Sequence, residues 1–250
     1  MKKQLLLILF LGFLSWFPGL SVAQQTDSLQ QQQKTFTGAV TVTNNGISLI
    51  PTFNLGRPAA IFDMTARRGR FSFEPQLTFA LENAKPWFFI FWVRYKAIET
   101  PKFSMNVGVH PSVVFTNTIL PPGGPTGEAL TAVRYFVGEL TPTYHLSKKA
   151  SLGIYYLHSR GFSGAPKVTN FISLTGNFSQ IPLLKDVELR IAPQLYLVTI
   201  DALKGYYVAS AFMVTRNRFP LAISSLINQK IQSTIPSDDF VWNVSLSYAY

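Results

Sequence analysis

Beyond about residue 35, apolar and polar side chains alternate along almost the whole chain. A period of two is the spacing of a β-strand with one apolar and one polar face. In the last segment Phe240, Trp242, Val244, Leu246, Tyr248 and Tyr250 share one face, and Val241, Asn243, Ser245, Ser247 and Ala249 the other. Between 70 and 82, Phe71, Phe73, Leu77, Phe79 and Leu81 oppose Ser72, Glu74, Gln76, Thr78 and Glu82. Between 187 and 200, Val187, Leu189, Ile191, Leu195 and Leu197 oppose Glu188, Arg190, Gln194 and Tyr196. The run Trp87 to Val93 is apolar on both faces, so only a neighbouring strand can orient it.

That neighbour supplies a register. A three-residue hairpin loop Asn83-Ala84-Lys85, centred on Ala84, sets Phe79 opposite Phe89 and Leu77 opposite Phe91. On the polar side it sets Glu74 opposite Arg94, giving a half-buried carboxylate the partner it needs. The segments number about twelve, each near the roughly 9–11 residues that a transmembrane strand requires. They are 36–43, 47–65 (irregular), 70–82, 86–98, 102–116, 129–146, 150–160, 166–179, 187–200, 204–216, 219–231 and 239–250. Ten or fourteen strands also fit, because 44–65 does not parse cleanly.

The N-terminus has the order of a secretory leader: Lys2 and Lys3, an apolar run Leu5 to Leu14, then Ser21-Val22-Ala23. The apolar run is too short to span about 30 Å of hydrocarbon, and Trp16, Pro18 and Gly19 end it. Residues 1–23 are therefore expected to be a signal peptide cleaved after Ala23, and 24–34 a flexible Gln-rich periplasmic tail. Cysteine is absent, which excludes thiol chemistry, disulfides and a lipid-modified N-terminus. Mean hydropathy is positive, yet no apolar segment after the leader has helix length. A closed antiparallel transmembrane β-barrel over 35–250 reconciles these facts, with lipid against its outside and a polar inside. With both ends of the barrel periplasmic, Asn117–Glu128 falls in an external loop. Lys148-Lys149 and Arg216-Asn217-Arg218 then fall in short periplasmic turns. Pro75, Pro111, Pro142 and Pro193 sit inside strand patterns. Since proline cannot donate to a ladder, each is expected to mark a bulge or kink toward the periplasmic rim, or a weakly paired position.

An alternating strand ending in Trp242, Val244, Leu246, Tyr248 and Tyr250 resembles the C-terminal signal that the barrel-insertion machinery reads on bacterial outer-membrane proteins. With the leader and the stretch Lys85 to Lys96, it makes the chain similar to small outer-membrane barrels of the Bacteroidota. That resemblance implies fold and outer-membrane location, and it carries over no activity.

Candidate chemistry is sparse. His110-Pro111-Ser112 resembles the His and Ser spacing of outer-membrane phospholipase A and lipid A deacylase, where His is the base for the Ser nucleophile. Here Met105, Val107, Val109, Val113 and Phe115 put His110 and Ser112 inside. Val113-Val114-Phe115 replaces the expected polar run, and no orienting acid is evident. A hydrogen-bonded interior histidine is the alternative. His145 and His158 read as rim or lumen residues. No cluster has metal-ligand spacing, and Gly123-Gly124 lies between prolines rather than in a phosphate loop, so neither metal nor cofactor is expected. The net charge of +10 falls to about +8 without the leader lysines. In an exported strand protein it points to outer-membrane lipid and lipopolysaccharide rather than nucleic acid. Glu74, Glu82, Arg94, Glu139, Glu188 and Arg190 are the expected lumen charges. Twelve strands lie between a filled eight-stranded interior and an open sixteen-stranded pore. Three functions therefore stay open: a small passive channel, a closed accessory barrel that binds a partner, and a lipid hydrolase.

Overall fold

A computed structural model describes residues 35–119, 128–164 and 166–250. The expected leader, its cleavage site and the tail at 24–34 lie outside the described residues. So do residues 120–127 of the expected external loop. The strands are β1 (Thr35–Thr43), β2 (Ala59–Arg68), β3 (Phe71–Ala80), β4 (Pro86–Glu99), β5 (Phe103–Ile119) and β6 (Glu128–His145). They continue as β7 (Ala150–Gly161), β8 (Val168–Leu184), β9 (Val187–Ile200), β10 (Leu203–Arg216) and β11 (Leu221–Ser233). The last strand is split into β12 (Phe240–Trp242) and β13 (Ser245–Ala249). From β1 to β11 each strand pairs antiparallel with the next, β11 pairs both β12 and β13, and β1 pairs β13. Counting β12 and β13 as one strand, this is a closed twelve-stranded barrel, and closure leaves no unpaired edge. Among the described residues no helix is long and apolar enough to cross a membrane.

Alternation decides the two faces. Phe73, Val93, Val109, Leu140, Ile154 and Leu195 are exposed on the outside. Side chains of the opposite parity on the same strands, among them Ser72, His110, Glu139, Ser159 and Tyr196, are buried inside. The closing strand keeps the expected faces, with Trp242, Val244, Leu246, Tyr248 and Tyr250 all outward and about half exposed. Tyr250 exchanges backbone bonds with Gly38 at 3.0 and 2.9 Å. A Cβ at residue 38 would stand 2.5 Å from the Tyr250 ring, so glycine there lets the terminal ring lie flat across β1.

Both chain ends of the barrel lie at one rim, with the turns 69–70, 100–102, 146–149, 185–186 and 217–220 (the turn end). At the other rim lie the longer connections, including 44–58 and 234–239 (the loop end).

Three expectations change. Residues 44–58 do not extend a strand. Gly56 adopts a φ of 69°, the segment Pro51–Phe53 forms a single 3₁₀ turn, and the apolar residues that mimicked a strand fold into the barrel. The β3–β4 register differs by two residues from that expected, so Leu77 faces Phe89 and Ser72 faces Arg94. The connection is longer than a three-residue hairpin, with Ala80 N donating to Lys85 O at 2.8 Å. A shift of two preserves every face. The prolines make no bulge. Pro75, Pro111, Pro142 and Pro193 stay in register with Phe91, Phe136, Met105 and Ser210. On the opposite side of each, the pairing lapses and resumes in the same phase. A residue without N–H loses one side of its ladder only, so the strands run through. The shifts that do occur lie elsewhere, as at Thr78/Phe79, where Trp87 is the extra residue and turns inward.

Candidate functional site

The interior is layered from the turn end to the loop end, and its middle is built around Arg94. In β4, Trp92 and Arg94 both point inward, and the guanidinium carbon lies 4.2 Å from the Trp92 ring centroid, a cation–π distance. Arg94 bonds Glu74 on β3. It also reaches Glu139 on β6, with Nε to Oε1 at 2.6 Å and Nη2 to Oε2 at 3.3 Å. Arg94, Gly108 and Glu139 are in register across three strands. A Cβ at residue 108 would come 2.8 Å from Glu139 Oε1 and 3.1 Å from Arg94 Cγ, so glycine opens the path between them.

The network extends on both sides. Tyr155 OH donates to Glu139 Oε2 at 2.9 Å, and Ser72 Oγ to Glu74 Oε1 at 2.7 Å. Arg67 stands 3.9 Å from Glu74, and Gln76 Nε2 donates to Asp63 Oδ1 at 2.7 Å. The Glu139 side chain is only 2% exposed, whereas Arg94 and Glu74 keep 28% and 21% of their surface. A carboxylate as buried as Glu139 is tolerable only when paired and hydrogen-bonded, and here it accepts from two side chains.

Other expected charges lie apart from this cluster. Glu188 and Arg190 are on the inward face of β9 but exposed near the turn end, where Arg190 Nε donates to Asn177 Oδ1 at 2.9 Å. Glu82 is not in the lumen. It sits in the 3₁₀ turn Glu82–Ala84 at the loop end, two-thirds exposed, and pairs with Arg57 at 2.9 Å. The strand ends at Ala80, so the alternation that placed Glu82 inside no longer applies there.

His110 and Ser112 are buried on the inner wall, 4% and 6% exposed. No hydrogen bond joins them among the described residues, and His110 Nδ1 has no hydrogen-bond partner. The imidazole lies against Trp92, with centroids 4.0 Å apart. This is the packing of a wall residue, without the Ser–His bond that nucleophile activation requires. The contact that does join Ser to His was not foreseen: Ser104 Oγ lies 3.0 Å from His145 Nε2 at the turn end. Their proximity follows from the β5–β6 register, which no local motif announces. His158 faces outward near the loop end, bonded to Asn170 Oδ1 at 2.8 Å. Among the described residues no three potential ligands gather as a metal site.

At the loop end residues 44–58 pack inward. Phe53 packs edge-on against Tyr135 at 5.5 Å, and Trp87 Nε1 donates to Phe53 O at 3.0 Å. On the opposite wall Leu49 and Ile50 pack against Phe171, Tyr196, Val198, Tyr207 and Ile235. Tyr196 and Tyr207 stack at 5.1 Å. The loop 44–58 thus bridges the lumen between β4–β6 and β8–β10.

No protein-family model matches the sequence, and no curated protein does. Solved structures do match. The KdgM porin in complex with disordered oligogalacturonate is similar over 86% of this chain and 98% of its own, with TM-score 0.53 and 9% identity. An outer-membrane channel of Pseudomonas putida F1 is similar over 90% and 100%, with TM-score 0.50 and 11% identity. At such identities the likeness is one of fold, and the fold is that of the outer-membrane β-barrels.

Proposed function

We propose that the chain is a small passive channel of a bacterial outer membrane for ions or small solutes, narrowed at its loop end by residues 44–58. The observation that carries this reading is the charged belt at mid-barrel. Arg94 and Glu74 face the lumen and keep more than a fifth of their surface open to water. A barrel serving only as a scaffold gains little from partly solvated charges in its centre, since apolar filling is as stable or more so. The fold shared with a porin and a channel supports the same reading. The leader expected at 1–23, the aromatic alternation of 240–250 and the resemblance to Bacteroidota barrels support an outer-membrane location in such a bacterium.

The inward packing of residues 44–58 favours a second reading, a closed accessory barrel whose rims bind a protein partner. Swelling of liposomes containing the folded barrel separates the two. Uptake of small solutes that falls off with solute size supports the channel. Liposomes as tight as empty ones support the closed barrel.

A further inference from the structure

The turn end carries a second polar feature, distinct from the Arg94 belt. A hollow of about 630 Å³ opens on the inner wall there, lined by Lys96, Lys102, Ser104, Asn106, His145 and Lys148 among others. The strands place these groups by register. Lys96 faces Asn106 across β4–β5, and Ser104 faces Thr143 across β5–β6. His145 N donates to Lys102 O at 2.8 Å, which ties the turn carrying Lys102 to the end of β6 just before the turn carrying Lys148.

The charge balance of the hollow is positive. Glu99, its acidic member, is bonded to Lys96 at 2.6 Å. Lys102 and Lys148 are in no ion pair among the described residues. Ser104, Asn106 and the imidazole of His145 add neutral hydrogen-bonding groups between the lysines. The surrounding rim has the same sign. The residues between strands at the turn end include Arg70, Lys102, Lys148, Lys149, Lys185 and Arg218 against Asp186. Those described at the loop end are Arg57, Lys85 and Lys167 against Glu82, Asp201, Asp238 and Asp239.

We infer that this hollow is a binding site for small multivalent anions bearing phosphate or carboxylate groups. Lysine ammoniums on separate elements serve as compact point charges for such groups. A concave wall of one sign raises the local concentration of counter-ions. That the site sets an anion preference for the pore rests on the channel reading; the binding itself does not.

The test is calorimetric titration of pyrophosphate into the folded mature barrel in detergent at low ionic strength, alongside reversal potentials across bilayers in a KCl gradient. Wild type is expected to bind saturably, and the Lys102→Gln/Lys148→Gln double variant at least about tenfold more weakly, a change of about 1.4 kcal/mol. Lys167→Gln, at the opposite rim, leaves binding unchanged. Heat-modifiable gel mobility checks that each variant is folded. Absence of saturable binding, or equal binding by the double variant, overturns the site. A barrel that binds pyrophosphate but never conducts removes the channel reading and leaves the site. One that conducts without anion preference and binds no pyrophosphate does the reverse.

Discussion

Arg94 on β4 and Glu139 on β6 bond directly across the strand between them, because the intervening residue in register is Gly108. The pair makes the middle of the barrel a cross-linked belt rather than two separate wall charges. Removing one member of such a pair leaves the other buried without compensation, which costs about 3–5 kcal/mol. Arg94→Leu is therefore expected to lower stability by that order in urea titrations of the folded barrel. Adding Glu139→Gln should recover a large part of the loss. Additive losses in the double variant would show that the two residues act independently.

Gly108 is open to its own test. Gly108→Val places a side chain where Glu139 Oε1 lies 2.8 Å from the new Cβ. The variant is expected to lose stability comparably to Arg94→Leu, while Gly138→Val, whose Cβ would meet nothing closer than 4.0 Å, is tolerated. Urea midpoints that fall equally for both would remove the special role of residue 108.

The inward loop hangs partly on one hydrogen bond, from Trp87 Nε1 to Phe53 O. Trp87→Phe keeps the ring packing and deletes the donor, at a cost of about 1 kcal/mol. The expected readout is faster chymotrypsin cleavage after Phe53 or Leu55 in a barrel that otherwise stays folded. Unchanged cleavage would mean that packing by Leu49, Ile50 and Phe53 holds the loop without help from that bond.

Gly38 and Tyr250 close the cylinder. Tyr250→Ala, or Gly38→Val, which forces the terminal ring away, is expected to slow assembly into bilayers several-fold without changing the strand content of the product. The measurement is the time course of heat-modifiable folded protein. Assembly at wild-type rate would remove the role assigned to the terminal aromatic.

Ser112 packs on the inner wall without a bond to His110, so Ser112→Ala should leave any phospholipid or lipid A acyl release by the purified barrel unchanged. Release that disappears with this substitution would revive the hydrolase reading.

Much of this architecture is legible in the residues alone. Alternation in β3, β9 and the closing strand assigns faces because a side-chain period of two survives any even shift of register. This is why Glu74 meets Arg94 although the register expected for β3 and β4 differs by two. Other features follow from contacts between distant segments. Residues 47–55 have strand-like apolar content, and only the closed cylinder offers them an inner wall to pack on. Glu139 becomes Arg94's second partner through a glycine on a third strand. Ser104 and His145 meet only once β5 and β6 are aligned. Of the two expectations for the four prolines, the bulge is absent and the weakly paired position is what the ladder shows, because losing one side of it suffices.

A conducting lumen narrowed by residues 44–58 is open to single-channel recording. Wild type and a variant with residues 47–55 replaced by a short Gly-Ser linker are reconstituted in planar bilayers. Small, steady channels from wild type and several-fold larger ones from the variant are predicted. Two correctly folded barrels that are both silent would contradict it, and would show an interior closed by its own wall.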